Sequence, residues 1–95
     1  MPNQQHLALF MQGPKAVAEA RVRDPNMTFD VSGADLTKFQ GRDLDLSRCD
    51  FSRATLIDSG FQSANITGAD FSNARLDSAD LTDADLSDAN FAGAN

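Results

Sequence analysis

Residues 64–91 read ANITGADFSNARLDSADLTDADLSDANF, and one unit recurs through them every five positions: a small residue, usually an Asp or Asn, a large apolar residue, then two mostly polar residues. A period of five suits neither regular element. On an α-helix five residues advance about 500°, so successive large residues would smear around the cylinder instead of forming a stripe. In a flat strand an odd period would send every second large residue to the solvent face. Both objections vanish if the chain turns a corner in every unit. The small and the large residue then point inward, and the polar residues take the corner and the outside. Such a coil stacks on itself, each turn bonding its backbone to the next at about 4.8 Å.

The pattern reaches well upstream of this stretch. Every fifth position from 31 gives Val31, Leu36, Gly41, Leu46, Phe51, Leu56, Phe61, Ile66, Phe71, Leu76, Leu81, Leu86 and Phe91, all large and apolar except Gly41. Two residues before each lies a second column, which from Cys49 onward holds only Cys, Ser and Ala. Small side chains at one inward position imply a narrow interior. Phe29, Phe39 and Leu44 depart from this rule in the first turn, and Phe39 is placed to fill the space that Gly41 leaves.

The 64–91 stretch resembles the pentapeptide repeat family, with its A(D/N)LXX consensus, and the resemblance covers residues 29–95. It implies an all-β solenoid, a right-handed quadrilateral β-helix of four repeats per turn and about three turns. A twenty-residue spacing would then stack Val31, Phe51, Phe71 and Phe91 on one face, and Leu36, Leu56 and Leu76 on the next. Gly41, Phe61 and Leu81 would form the third column, and Leu46, Ile66 and Leu86 the fourth.

Two domains are expected: an N-terminal helical cap over 1–28 and the repeat coil over 29–95. Residues 4–12 and 14–24 read as helices, since Leu7, Phe10 and Met11 fall at i, i+3 and i+4, Pro14 suits a first helical turn, and Pro25 ends the second. The segment GPKAVAEARVRDP followed by DVSGADL also resembles the head of some bacterial repeat arrays, with Val17 and Ala20 where that head carries tryptophans. Its physical role is a lid, because an open solenoid end exposes core side chains and unpaired backbone edges. Leu7, Phe10, Val17 and Val22 are the candidates to cover the first turn. At the other end Phe91, Leu86 and Ala94 border a final turn that a second molecule, a partner or further chain would have to cover.

The chain has 95 residues, enough for one small core, and a net charge of −6. Residues 1–28 carry +1 and residues 29–95 carry −7, so the acidity belongs to the repeats. Lys38, Arg42, Arg48 and Arg53 lie in the early turns, whereas no basic residue follows Arg75. This distribution disfavours direct nucleic-acid or membrane binding and suits a protein partner. The lone Cys49 allows no internal disulfide and no zinc spacing, which fits a reducing cytoplasm. Ala16-Val17-Ala18 could pass for a cleavage site, but Gly13-Pro14 interrupts the segment before it.

No catalytic, cofactor or metal site is expected. His6 is the only histidine and reads as a surface residue, Cys49 occupies an inward slot as an inert thiol, and a filled coil offers no pocket for paired carboxylates. The acidic patch Asp77, Asp80, Asp83, Asp85 and Asp88 lacks the order and the turn glycine of a calcium loop. The aspartate columns are better explained by hydrogen bonds to the turning backbone than by mimicry of nucleic-acid phosphates. Three functions follow as expectations. The first is a non-catalytic interaction scaffold binding through an acidic flank, with Asp77, Asp80, Asp83, Asp85, Asp88 and Phe91, or through the open C-terminal end, a homodimer included. The second, implied by the resemblance, is a DNA-mimic modulator of DNA gyrase or another topoisomerase. The third is a translocated bacterial effector domain.

Overall fold

The computed structural model describes residues 2–95. Helix α1 spans Gln4–Gln12 and helix α2 spans Pro14–Arg23. Asn3 caps α1: its Oδ1 accepts the N–H groups of Gln5 at 2.9 Å and His6 at 3.1 Å. Gly13, with φ 119°, separates the helices, and Pro14 opens α2 where its missing N–H has no partner to lose. The second helix stops one residue short of the expected boundary, with Asp24 as its C-cap.

From Asp30 the chain coils with a period of twenty. Parallel bridges link Asp30, Asp50, Asp70 and Asn90 in one series, and parallel series start at Asp35, Gln40 and Asp45. Four series around the axis give each coil four sides. The N–H of an inward large residue donates to the carbonyl nineteen residues on, as from Phe51 to Asp70 and from Phe71 to Asn90, both 2.7 Å. Each bridge residue donates back to the coil before it, as from Asp70 to Cys49 at 2.9 Å. At each corner the N–H three residues after the large residue returns to its carbonyl, as from Ala54 to Phe51 at 3.0 Å.

The expected all-β solenoid behind a helical cap is met in part. Among the described residues the repeats form isolated bridges and turns, with no continuous strand, and the only regular elements are the two helices. The cause is the corner itself. A turn every five residues ends each ladder before a second pair can add to it.

Inside the coil the aromatic column stacks ring on ring. The centroids of Phe51 and Phe71 are 4.9 Å apart with planes at 13°, and those of Phe71 and Phe91 are 4.9 Å apart at 3°. This is the backbone spacing of the coil transmitted to its side chains. Phe61 meets Phe51 and Phe71 edge-on. A Cβ on Gly41 would lie 3.1 Å from the Phe39 ring and 3.3 Å from Phe61, so the large residue of the small column does occupy the space beside Gly41.

Phe10 of α1 is the plug of the upper end. It is buried, 4.9 Å from Phe39, 5.4 Å from Phe29 and 6.0 Å from Phe51 between ring centroids. Val17 and Ala20, at i and i+3, are buried beneath α2, and Leu7 packs at the margin of the core. Val22 does not cover the first turn. Five residues beyond Val17 it points away from the buried face and is 79% exposed.

Candidate functional site

The two ends of the coil hold its unshared groups, and they are built differently. At the head, side chains replace the donors of a coil that is not there. By the spacing of nineteen, the carbonyls of Asp45 and Ser47 would accept from residues one coil earlier. Instead Arg21 Nε donates to the Asp45 carbonyl at 3.0 Å and Nη2 to that of Ser47 at 3.3 Å, while Nη1 bonds the carbonyls of Met27 at 2.6 Å and Pro25 at 3.1 Å. The guanidinium is buried and lies 5.2 Å from the centre of the Phe29 ring. Asn3 N–H donates to the Asp30 carbonyl at 3.0 Å. The Asp30 N–H donates to His6 Nδ1 at 2.9 Å, and the imidazole meets Phe29 edge-on. His6 is therefore part of the lid, not a free surface residue. Sequence reading missed this because an acceptor twenty-four residues away leaves no local pattern.

At the other end nothing among the described residues lies over the coil formed by 76–95. The N–H groups of Ser78, Leu81, Asp83, Leu86, Asp88, Phe91 and Gly93 have no partner there, nor do the carbonyls of Ala79, Ala84, Ala89 and Ala94. The core columns open in the same place. Val31, Phe51 and Phe71 are buried while Phe91 is only partly so; Leu36 and Leu56 are buried while Leu76 is partly so. Phe61 is buried and Leu81 partly so, and Leu46 and Ile66 are buried while Leu86 is 42% exposed.

The acidic residues singled out in this coil do not form one cluster. Asp80 bridges Gly60 and Asp85 bridges Asn65, which puts them on successive sides. Asp77 pairs with Arg75 at 3.2 Å, and Asp83 and Asp88 stand at corners with φ 59°. No group of three or more His, Cys, Asp or Glu side chains that could hold a metal ion occurs among the described residues.

Turn chemistry accounts for the aspartate columns. Oδ1 of Asp30, Asp50, Asp70 and Asn90 accepts the N–H two residues on, and Asp35, Asp45, Asn65, Asp80 and Asp85 do the same on the other sides. Where Ser or Thr follows, its hydroxyl often donates to the same oxygen, as Thr37 does to Asp35 and Ser87 to Asp85, both at 2.7 Å. These hydroxyl bonds, with the backbone N–H of the same residue, hold the carboxyls of Asp35, Asp80 and Asp85 below their ordinary range. Burial pushes Asp45 upward, but Ser47 and the nearby Arg21 and Arg48 together bring it down. Burial pushes the Cys49 thiol well above its usual range, so it is protonated and enclosed.

A corner position was also missed. Lys38, Asp43, Arg48, Arg53, Asp58, Ser63, Asn73, Ser78, Asp83 and Asp88 all have positive φ, as do Gly33, Gly68 and Gly93. Asp, Asn and Gly fill most of these places, and that bias was readable as a left-handed turn residue at every corner.

A family profile described as pentapeptide repeats matches residues 42–73 and 64–95, in eight copies. Among solved structures, a pentapeptide repeat protein from the Arabidopsis thaliana thylakoid lumen is 39% identical, with a TM-score of 0.67 over 67% of this chain and 44% of that one. The chain thus spans less than half the length of that relative. HetL, a pentapeptide repeat protein involved in heterocyst differentiation regulation in the cyanobacterium Nostoc, is 27% identical over 66% of this chain and 36% of that one, with a TM-score of 0.25. A pentapeptide repeat protein from the cyanobacterium Cyanothece is 22% identical over 76% of this chain and 64% of that one, with a TM-score of 0.33. A comparison with curated proteins returns no match.

Proposed function

The chain belongs to the pentapeptide repeat family, and from that premise we propose that it is a non-catalytic interaction scaffold whose binding surface is the coil 76–95. The right-handed quadrilateral form of the family is part of this reading. The observation that carries it is the coincidence, on one face, of half-open apolar columns with a row of unpartnered N–H groups. Such a face can gain both apolar burial and main-chain hydrogen bonds from one partner. Asp80, Asp83, Asp85 and Asp88 surround it with negative charge, which favours a partner of neutral or positive rim over nucleic acid. A reducing cytoplasm suits the single buried thiol, and among the described residues no helix is long and apolar enough to cross a membrane.

The test is native mass by light scattering over a wide concentration range, for the wild type and Phe91→Lys. A dimer that Phe91→Lys dissociates would mean that two such coils seal each other. A monomer whose coil captures a protein partner, with capture lost in Phe91→Lys, supports the scaffold reading equally. A dimer or a complex indifferent to Phe91→Lys would place binding elsewhere and sink this assignment.

A further inference from the structure

The lid covers only part of the upper edge. Arg21 and Asn3 engage the carbonyls of Asp45, Ser47 and Asp30. Between them, along residues 35–40, the carbonyls of Asp35, Thr37 and Gln40 and the N–H groups of Asp35 and Gln40 have no partner among the described residues. In every later coil the equivalent groups pair with the coil before. Above this edge lies a cleft of about 270 Å³, bounded on one side by Phe10, Met11 and Pro14 and on the other by residues 35–40, with Leu36 and Phe39 beneath. Met11, on the wall of the cleft, is 67% exposed.

We propose that this edge is a main-chain addition site for a short acidic peptide that follows the corner at Lys38 and carries one large apolar side chain. Its backbone would run parallel to residues 35–40, as all the coils run to one another. It would donate to the carbonyls of Asp35, Thr37 and Gln40 and accept from the N–H groups of Asp35 and Gln40, replacing the coil that the lid leaves out. The apolar side chain enters the cleft over Leu36 and Phe39. Charge selects the peptide: Lys38 lines the cleft, Lys15 follows the lining Pro14 in sequence, and both are exposed and form no salt bridge among the described residues. The acid on this edge, Asp35, already has Oδ1 committed to Thr37. The site is separate from the coil 76–95, and either can fail without the other.

The test titrates the isotope-labelled full chain with the acetylated and amidated nonapeptide DADLSDANS, followed by amide chemical shifts. The expected result is saturable shifts at Asp35, Thr37, Lys38, Gln40 and Met11. Methylation of alternate peptide nitrogens should weaken binding at least about tenfold, because it removes the donors. The nonapeptide KAKLSKANS should bind more weakly, and Lys38→Glu with Lys15→Glu should lower the affinity for DADLSDANS about fivefold or more. The peptide controls need no protein variant, so misfolding of that double variant cannot decide the result. Absence of shifts along 35–40 at about 5 mM peptide, shifts confined to 76–95, or equal binding of the methylated peptide would each overturn the proposal.

Discussion

The first coil and the last are made of the same unit and meet opposite fates. Around the first, Phe10 plugs the aromatic column, and Arg21, Asn3 and His6 stand in for the backbone of a missing neighbour. Around the last, Leu76, Leu81 and Phe91 are half-open and Leu86 is 42% exposed. A coil in such a stack is only as well buried as its neighbours on both sides allow, so the repeat unit by itself does not determine stability. The lid shows what closing an end requires: an aromatic ring for the core and side-chain donors for the edge.

The sharpest way to break this contrast is charge in one column. Phe71→Asp should unfold the coil, at a cost of roughly 4–5 kcal/mol, whereas Phe91→Asp should leave folding intact; circular dichroism and melting temperature distinguish them. Next comes the lid. Arg21→Met removes four bonds to carbonyls while keeping bulk over Phe29, and should cost about 3 kcal/mol in chemical denaturation. An unchanged midpoint would mean that the lid is held by packing alone. A third comparison stays within the fourth column. Leu46→Ala should destabilise by about 2–5 kcal/mol, but Leu86→Ala by less than about 1 kcal/mol, since that side chain is already partly in water.

The smallest effect concerns the corners. Asp35, Asp80 and Asp85 have carboxyls held below the ordinary aspartate value of 3.8, so their contribution is present at neutral pH and is lost as the pH falls through and below that value. Asn65 and Asn90 make the same backbone bond without a charge. Asp35→Asn should therefore melt near the wild-type temperature at pH 7 and fall less steeply below pH 4. A parallel fall in both proteins would show that the Asp35 carboxylate does not contribute to the acid sensitivity.

The five-residue beat made the corners and the inward columns legible, because one residue type at one interval admits few geometries. Four sides per coil were not legible from the interval and came with the family resemblance. The lid was half readable. The spacing of Leu7, Phe10 and Met11 marked its first helix, but the amphipathic pattern of α2 was too weak to show that Val22 faces outward. The bonds of Arg21 to Asp45 and Ser47 and of Asp30 to His6 join residues more than twenty apart and have no sequence signature. Nor did the spacing of Asp77 to Asp88 show their dispersal, since residues five apart stand on different sides.

Amide hydrogen exchange on dilute, monomeric protein tests most directly whether the last coil is an uncovered binding face. Within single columns, the amides of Phe51, Ile66 and Phe71 are bonded to the following coil, whereas those of Leu86 and Phe91 are not. The expected result is slow exchange for the first three and fast exchange for Leu86 and Phe91, with protection of the latter two appearing only when a partner or a second copy binds. Protection of Leu86 and Phe91 as strong as that of Ile66 and Phe71 in the isolated monomer would contradict the account.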